Sequence, residues 1–180
     1  MTKRESENGL WRGCLAAFLV CAALLTPPPA RAAAPVKLAL FEFELEDFSA
    51  GATTPIAPAD DKLMASLTSE IGSLLAQSGR YSLVDVAGAD ADAARTHMLH
   101  ACDGCDAPIA LELGAAQSFV GVVKRISRTE YTVRFQIRDA HTGSLLADED
   151  SGLRMGADYS WSRGAIRLIK DRLLEKPAQQ

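Results

Sequence analysis

Tyr131-Thr132-Val133-Arg134-Phe135-Gln136-Ile137-Arg138 alternates apolar and polar residues without a break. A period of two marks a strand with one face on a core and the other toward water. Just upstream, Ser118-Phe119-Val120-Gly121-Val122-Val123 is almost continuously apolar and reads as a buried strand. Downstream, His141-Thr142-Gly143-Ser144 has the composition of a hairpin turn, with glycine where positive φ is cheap. A third strand resumes at Leu145 and runs, with a break at Gly152, to about Met155. The carboxyl-terminal half is thus expected to be an antiparallel meander, closed by a helix that begins near Asp158 and buries Ala165, Ile166, Ile169 and Leu173.

Toward the amino terminus the pattern changes. Pro35 to Phe43 is apolar enough for a central strand, and the acidic, then Gly-, Thr- and Pro-rich stretch Glu44 to Pro58 reads as a surface loop. Asp60 or Asp61 is placed to cap a helix in which Leu63, Met64, Leu67, Ile71, Leu74 and Leu75 recur at helical spacing, with Gly79 as its stop. A short strand over Tyr81–Val86, an Ala-rich helix over Ala89–Leu99 and a helix over Asp106–Leu113 closed by Gly114 follow. A parallel start followed by an antiparallel meander predicts a single α/β domain, a mixed sheet packed with helices.

The first 32 residues read as an address. Lys3, Arg4 and Arg12 precede a 12-residue apolar run, Cys14–Leu25, followed by Ala30-Arg31-Ala32. A basic segment, a short apolar segment and a small-x-small site are the parts of a secretory signal peptide, and the run is shorter than the roughly 20 residues a membrane span needs. Cleavage after Ala32 is expected, with an uncut amino-terminal anchor as the alternative. It leaves one domain, residues 33–180, with no transmembrane segment, in the periplasm. The 180-residue chain carries 19 basic and 23 acidic residues, a net charge of -4. The leader holds four of those bases and two of those acids, so the remainder stands at -6. That balance argues against a nucleic-acid partner, which calls for a basic footprint.

Three segments carry a resemblance. They are Ser78-Gly79-Arg80-Tyr81-Ser82-Leu83-Val84-Asp85-Val86, then Leu113-Gly114-Ala115-Ala116-Gln117-Ser118-Phe119-Val120-Gly121-Val122-Val123, then Arg138-Asp139-Ala140-His141-Thr142-Gly143-Ser144-Leu145-Leu146. In this order they resemble small periplasmic α/β domains: the amino-terminal domain of TolB, the periplasmic domain of CsgG and the penicillin-binding-protein activator LpoB. The chain is most similar to a family of secreted proteobacterial proteins of unassigned function. The resemblance implies a TolB- and CsgG-like mixed α/β fold and an accessory role. The motif glycines themselves read as packing and turn residues rather than chemistry.

The segment with chemistry in it is His97-Met98-Leu99-His100-Ala101-Cys102-Asp103-Gly104-Cys105. With Cys14 and Cys21 lost in the leader, Cys102 and Cys105 are the two cysteines that remain, and an oxidising compartment favours a disulfide between them. Zinc or copper held by His97, His100, Cys102 and Cys105 is the alternative, and would make the protein a small metal carrier. Thiol–disulfide chemistry is a third reading.

Glu42, Glu44, Glu46 and Asp47 alternate with Phe41, Phe43 and Leu45 and read as the wet side of a strand end. Asp148-Glu149-Asp150 reads as protection against edge pairing. Arg163, Arg167 and Lys170 form one stripe of the last helix, and Arg134 and Arg138 a strip on the exposed side of their strand. Either is a candidate partner surface, with a simply solvated face as the plainer reading. No G-x-S-x-G, Walker or dinucleotide loop is present, and Ser160 and Ser162 lack a nearby His and Asp pattern. The expected function is a periplasmic, non-enzymatic accessory domain without a cofactor. Its partner would be another periplasmic or envelope protein, in an envelope-assembly or enzyme-support complex.

Overall fold

The computed structural model describes residues 34–50, 57–87 and 98–175. The expected leader and nearly all of the expected Ala89–Leu99 helix, His97 included, lie outside them. Its last two residues, Met98 and Leu99, are not helical.

Strands β1 (Val36–Leu40) and β2 (Glu44–Asp47) lead into helix α1 (Pro58–Gln77), strand β3 (Tyr81–Leu83) and helix α2 (Asp106–Glu112). Then come β4 (Gln117–Ser127), β5 (Glu130–Asp139), β6 (Leu145–Asp150) and β7 (Arg154–Met155). Helix α3 (Trp161–Ile169) follows a 3-10 turn, Asp158–Ser160, and continues as a π turn, Lys170–Leu174. The strands make one seven-stranded mixed sheet in the order β3-β1-β4-β5-β6, with β2 beside β4 and β7 beside β5. Pairing is parallel among β1, β2, β3 and β4 and antiparallel from β4 onward. The expected α/β class and mixed sheet are what the chain adopts.

Glu44–Asp47 departs from expectation: it is a strand, not a loop. Leu40 pairs with Phe119 and Glu44 with Val122, so four steps along β1–β2 face three along β4. One extra residue reverses which face each later side chain takes. Leu45 and Asp47 therefore turn toward α1 and α3, and Glu44 and Glu46 toward the opposite face. Phe43 anchors the irregularity. Its amide donates to Thr68 Oγ1 at 2.9 Å, and a Cβ at Gly121 would lie 2.4 Å from its ring. Glycine at 121 is required for this close approach.

The sheet has a core on each side. Against α1 and α3, Phe119 stacks on Phe135 at 5.2 Å between ring centroids, surrounded by Leu67, Ile71, Leu75, Trp161 and Ile169. On the other side Ala39, Phe41, Val120 and Ala140 pack on α2 and Leu99. The quoted motifs serve this packing. Arg80 donates to the carbonyls of Leu173 and Leu174 at 2.7 and 3.2 Å, satisfying open acceptors at the end of the last helix. Asp139 Oδ1 accepts the amides of His141 and Thr142 and so shapes the β5–β6 turn, with Gly143 at φ +70°. Helix α1 starts differently from expectation: Pro58 opens it after Ala57, with no side-chain cap, and Asp60 and Asp61 sit in its first turn. Ile166 is half-buried rather than buried, because Leu168 takes the inward position beside Ile169.

Candidate functional site

Three of the four residues of β2, Glu44, Glu46 and Asp47, feed two charged networks on opposite faces of the sheet. On the α1–α3 side, Asp47 accepts Arg125 Nη1 at 2.7 Å and the Ser49 amide at 2.9 Å. The same guanidinium reaches Asp60 at 2.7 Å and Asp158 at 3.0 Å, and lies 4.8 Å from the centre of the Trp161 ring. One arginine thus ties β4 to β2, to α1 and to the approach to α3. Burial pushes the Asp47 carboxyl up, but the bonds from Ser49 and Arg125 outweigh it and hold the group below the usual carboxylate range. Arg125 Nε is buried and has no protein partner. Beside this hub opens a cleft of about 730 Å³, lined by Ser49, Leu63, Arg128, Ala157 and Tyr159 together with Arg125 and Asp158.

On the other face, His100 is gripped from both sides. Its Nδ1 meets Glu44 and its Nε2 lies 2.8 Å from Glu46 Oε1. Glu44 also accepts the amides of Leu99 and His100 at 2.7 and 3.0 Å, and Lys124 Nζ lies 2.8 Å from Glu46 Oε2. A ring with a carboxylate at each nitrogen favours the doubly protonated imidazolium. The Glu44 bond raises the His100 pKa above its ordinary value, burial opposes it, and Glu46 adds to the rise. Burial alone would push Glu46 up, yet its bonds to Lys124 and His100 hold it below the usual range. Glu44, Glu46 and Asp47 are therefore not the wet side of a strand end; only Glu42 stands out into water.

Two residues on, Cys102 forms a disulfide with Cys105, with Cα atoms 5.7 Å apart. Asp103 and Gly104 between them adopt φ of +51° and +104°. The loop rests on Arg138, whose guanidinium lies 3.6 Å from both Asp103 and Asp106 and donates to the Gly143 carbonyl at 3.4 Å. Buried Asp106 also accepts the Ser118 hydroxyl. The three candidate metal ligands among the described residues, His100, Cys102 and Cys105, are not assembled around a common point. Both sulfurs are bonded to each other, both His100 nitrogens are engaged by carboxylates, and His97 falls outside the described residues.

The basic strips divide. Arg138 is not exposed: its side chain keeps only 13% of its accessible surface, because α2 and the disulfide loop cover that end of the face. Arg134, farther along the same face, is half-open and makes a bidentate pair with Asp148 on β6. Arg163 and Arg167 are exposed on α3 and Lys170 on the π turn that continues it; Arg167 lies 3.6 Å from Asp171, and Lys170 borders a shallow groove between α1 and α3. The Arg125 network escaped the sequence reading, its three acids lying 33 to 78 residues away. A Lys-Arg pair interrupting an otherwise apolar strand, Val122-Val123-Lys124-Arg125-Ile126, was its one local signal.

A model of the family described as Protein of unknown function (DUF2380) matches residues 36–173. The chain belongs to this family. The match takes in every strand of the sheet, and the expectation of a family with no assigned function holds. No curated protein matches the chain. Among solved structures it is similar to the LpoB carboxyl-terminal domain from Salmonella enterica, at 15% identity over 76% of this chain and 93% of that one, TM-score 0.48. It is also similar to TolB from Acinetobacter baumannii, at 19% identity over 76% of this chain and 27% of that one, TM-score 0.47. A third is the PelC dodecamer from Paraburkholderia phytofirmans, at 21% identity over 81% of this chain and 89% of that one, TM-score 0.46.

Proposed function

We propose that this family member is a periplasmic, non-enzymatic accessory domain, residues 33–180, delivered by a leader cleaved after Ala32, and that it binds another envelope protein along the edge of β6. That no strand among the described residues pairs with the outer edge of β6 is the observation that carries this reading. β6 ends the sheet order, and Leu145 and Leu146 at its start are 46% and 52% exposed. The Ser151 amide donates to the Val133 carbonyl at 2.8 Å, so by strand alternation Asp148 and Asp150 turn their main-chain groups away from β5. A partner strand finds main-chain bonds there and apolar contacts at the leucines. Two copies meeting edge to edge would set Asp148 and Asp150 against the same acids, which disfavours self-pairing and favours a segment carrying Lys or Arg. The chemistry-bearing side chains of the interior support a non-enzymatic role: Arg125 is engaged by Asp47, Asp60 and Asp158, His100 by Glu44 and Glu46, and Arg138 by Asp103 and Asp106, and these pairs join elements of the fold.

Asp148→Pro tests the reading. It deletes an outward amide and leaves the main-chain bonds to β5 in place, while removing the exposed carboxylate that pairs with Arg134. The partner should no longer co-purify while the far-ultraviolet spectrum is retained. Undiminished co-purification would remove the edge from the account.

A further inference from the structure

The end of the molecule formed by the β4–β5 turn, β7 and the start of α3 has a second composition that the edge reading does not use. Gly156 donates to the Thr129 carbonyl at 2.9 Å, and Met155 pairs with Glu130, which brings β7 against the turn. Tyr159 and Arg128 line the same cleft, and the Arg163 guanidinium lies 6.0 Å from the Tyr159 ring centre. Four large apolar side chains stand out here: Ile126 at 39%, Leu153 at 60%, Met155 at 74% and Tyr159 at 76% exposed. Arg128, Arg154 and Arg163 are exposed at the same end, none of them with an ion-pair partner among the described residues; by strand alternation Arg154 takes the face of Tyr131, and Leu153 and Met155 the other. The neighbouring acids are engaged, Asp158 by Arg125 and Glu130 by the Ser127 hydroxyl.

We infer that this end docks on an anionic lipid bilayer. Exposed apolar and aromatic side chains at one end with arginines that have no ion-pair partner among the described residues match what an interface offers: acyl chains just below a layer of anionic head groups. Tyrosine suits that boundary, with an apolar ring and a polar tip, and arginine keeps its head in the phosphate layer while its stem lies on apolar surface. The net charge of -6 without the leader makes the rest of the molecule a poor match for an anionic surface, so the basic end sets one orientation. β6 is then left clear of the membrane for a protein partner.

The test is flotation of the protein, purified from its native envelope fraction, with phosphatidylglycerol–phosphatidylethanolamine vesicles and with pure phosphatidylcholine vesicles. Wild-type protein should float with the anionic vesicles, less so as salt is raised, and weakly with the neutral ones. Each of R128Q, R154Q and R163Q should lower the apparent affinity by about fivefold, and L153S/M155S should lower it further with an unchanged near-ultraviolet spectrum. Equal flotation with neutral vesicles, or an arginine triple variant that floats like wild type, overturns the inference. So does a triple variant that loses a co-purifying protein but keeps its vesicle binding, which would make this end a protein surface. Asp148→Pro should float normally, so failure at the edge and failure at the bilayer are read separately.

Discussion

The two networks rooted in β2 differ in their central cation, and that difference separates a permanent clamp from one that titrates. On the α1–α3 face the cation is Arg125, charged at every pH at which the protein is folded. On the other face it is His100, whose charge depends on pH. Both draw carboxylates from the same four-residue strand, Glu44-Leu45-Glu46-Asp47, and alternation sends two to one side and one to the other. The two cores are therefore joined through β2 by ion pairs with different working ranges.

The largest effect is expected at the permanent clamp. Arg125→Ala strands Asp47 and Asp60 in a mostly buried site and should cost roughly 3 kcal/mol, the scale for breaking a buried pair, read as an unfolding midpoint in denaturant. Next is the disulfide beneath the titrating clamp. In the loop-closure picture, replacing Cys102 and Cys105 with Ser should cost about 2 kcal/mol, and non-reducing calorimetry against the wild type measures it. His100→Gln should cost about 1–2 kcal/mol when the imidazole is charged, and its pH dependence sharpens the comparison. The folded pKa of His100 lies above the ordinary value, so its contribution is whole below that ordinary value and is lost as pH rises through the folded pKa. The stability gap between wild type and His100→Gln should therefore close toward alkaline pH, while the Arg125→Ala gap stays level. In acid the order changes, because the folded pKa values of Asp47 and Glu46 lie below the usual carboxylate range. Their contributions are present above that range and are lost as pH falls through the folded pKa values, so both clamps weaken together. The smallest effect belongs to Arg134→Ala, at most about 1 kcal/mol for an exposed pair with Asp148.

The same contrast shows what local pattern reveals and where it stops. The strand through Tyr131–Arg138 was legible because its period of two survives intact, and the turns at Gly79, Gly114 and Gly143 because positive φ leaves a residue-type signature. β2 was not legible. Its acids look like a loop, and the extra residue between Leu40 and Glu44 breaks the phase that alternation relies on. Arg134 and Arg138 share a face and a spacing, yet one is half-open and the other covered, since covering depends on α2 and the disulfide loop arriving from elsewhere in the chain. The grip on His100 comes from residues 54 and 56 positions away, beyond the reach of any local motif.

The central claim is that β6 is where a partner binds, and site-specific photo-crosslinking in living cells tests it most directly. With the photoreactive residue at Leu146, one envelope protein should be captured, and adding Asp148→Pro should abolish the adduct. The same residue placed at exposed Leu111 in α2 should capture nothing. Adducts of equal yield at both positions, or an adduct at Leu146 untouched by Asp148→Pro, would contradict the account.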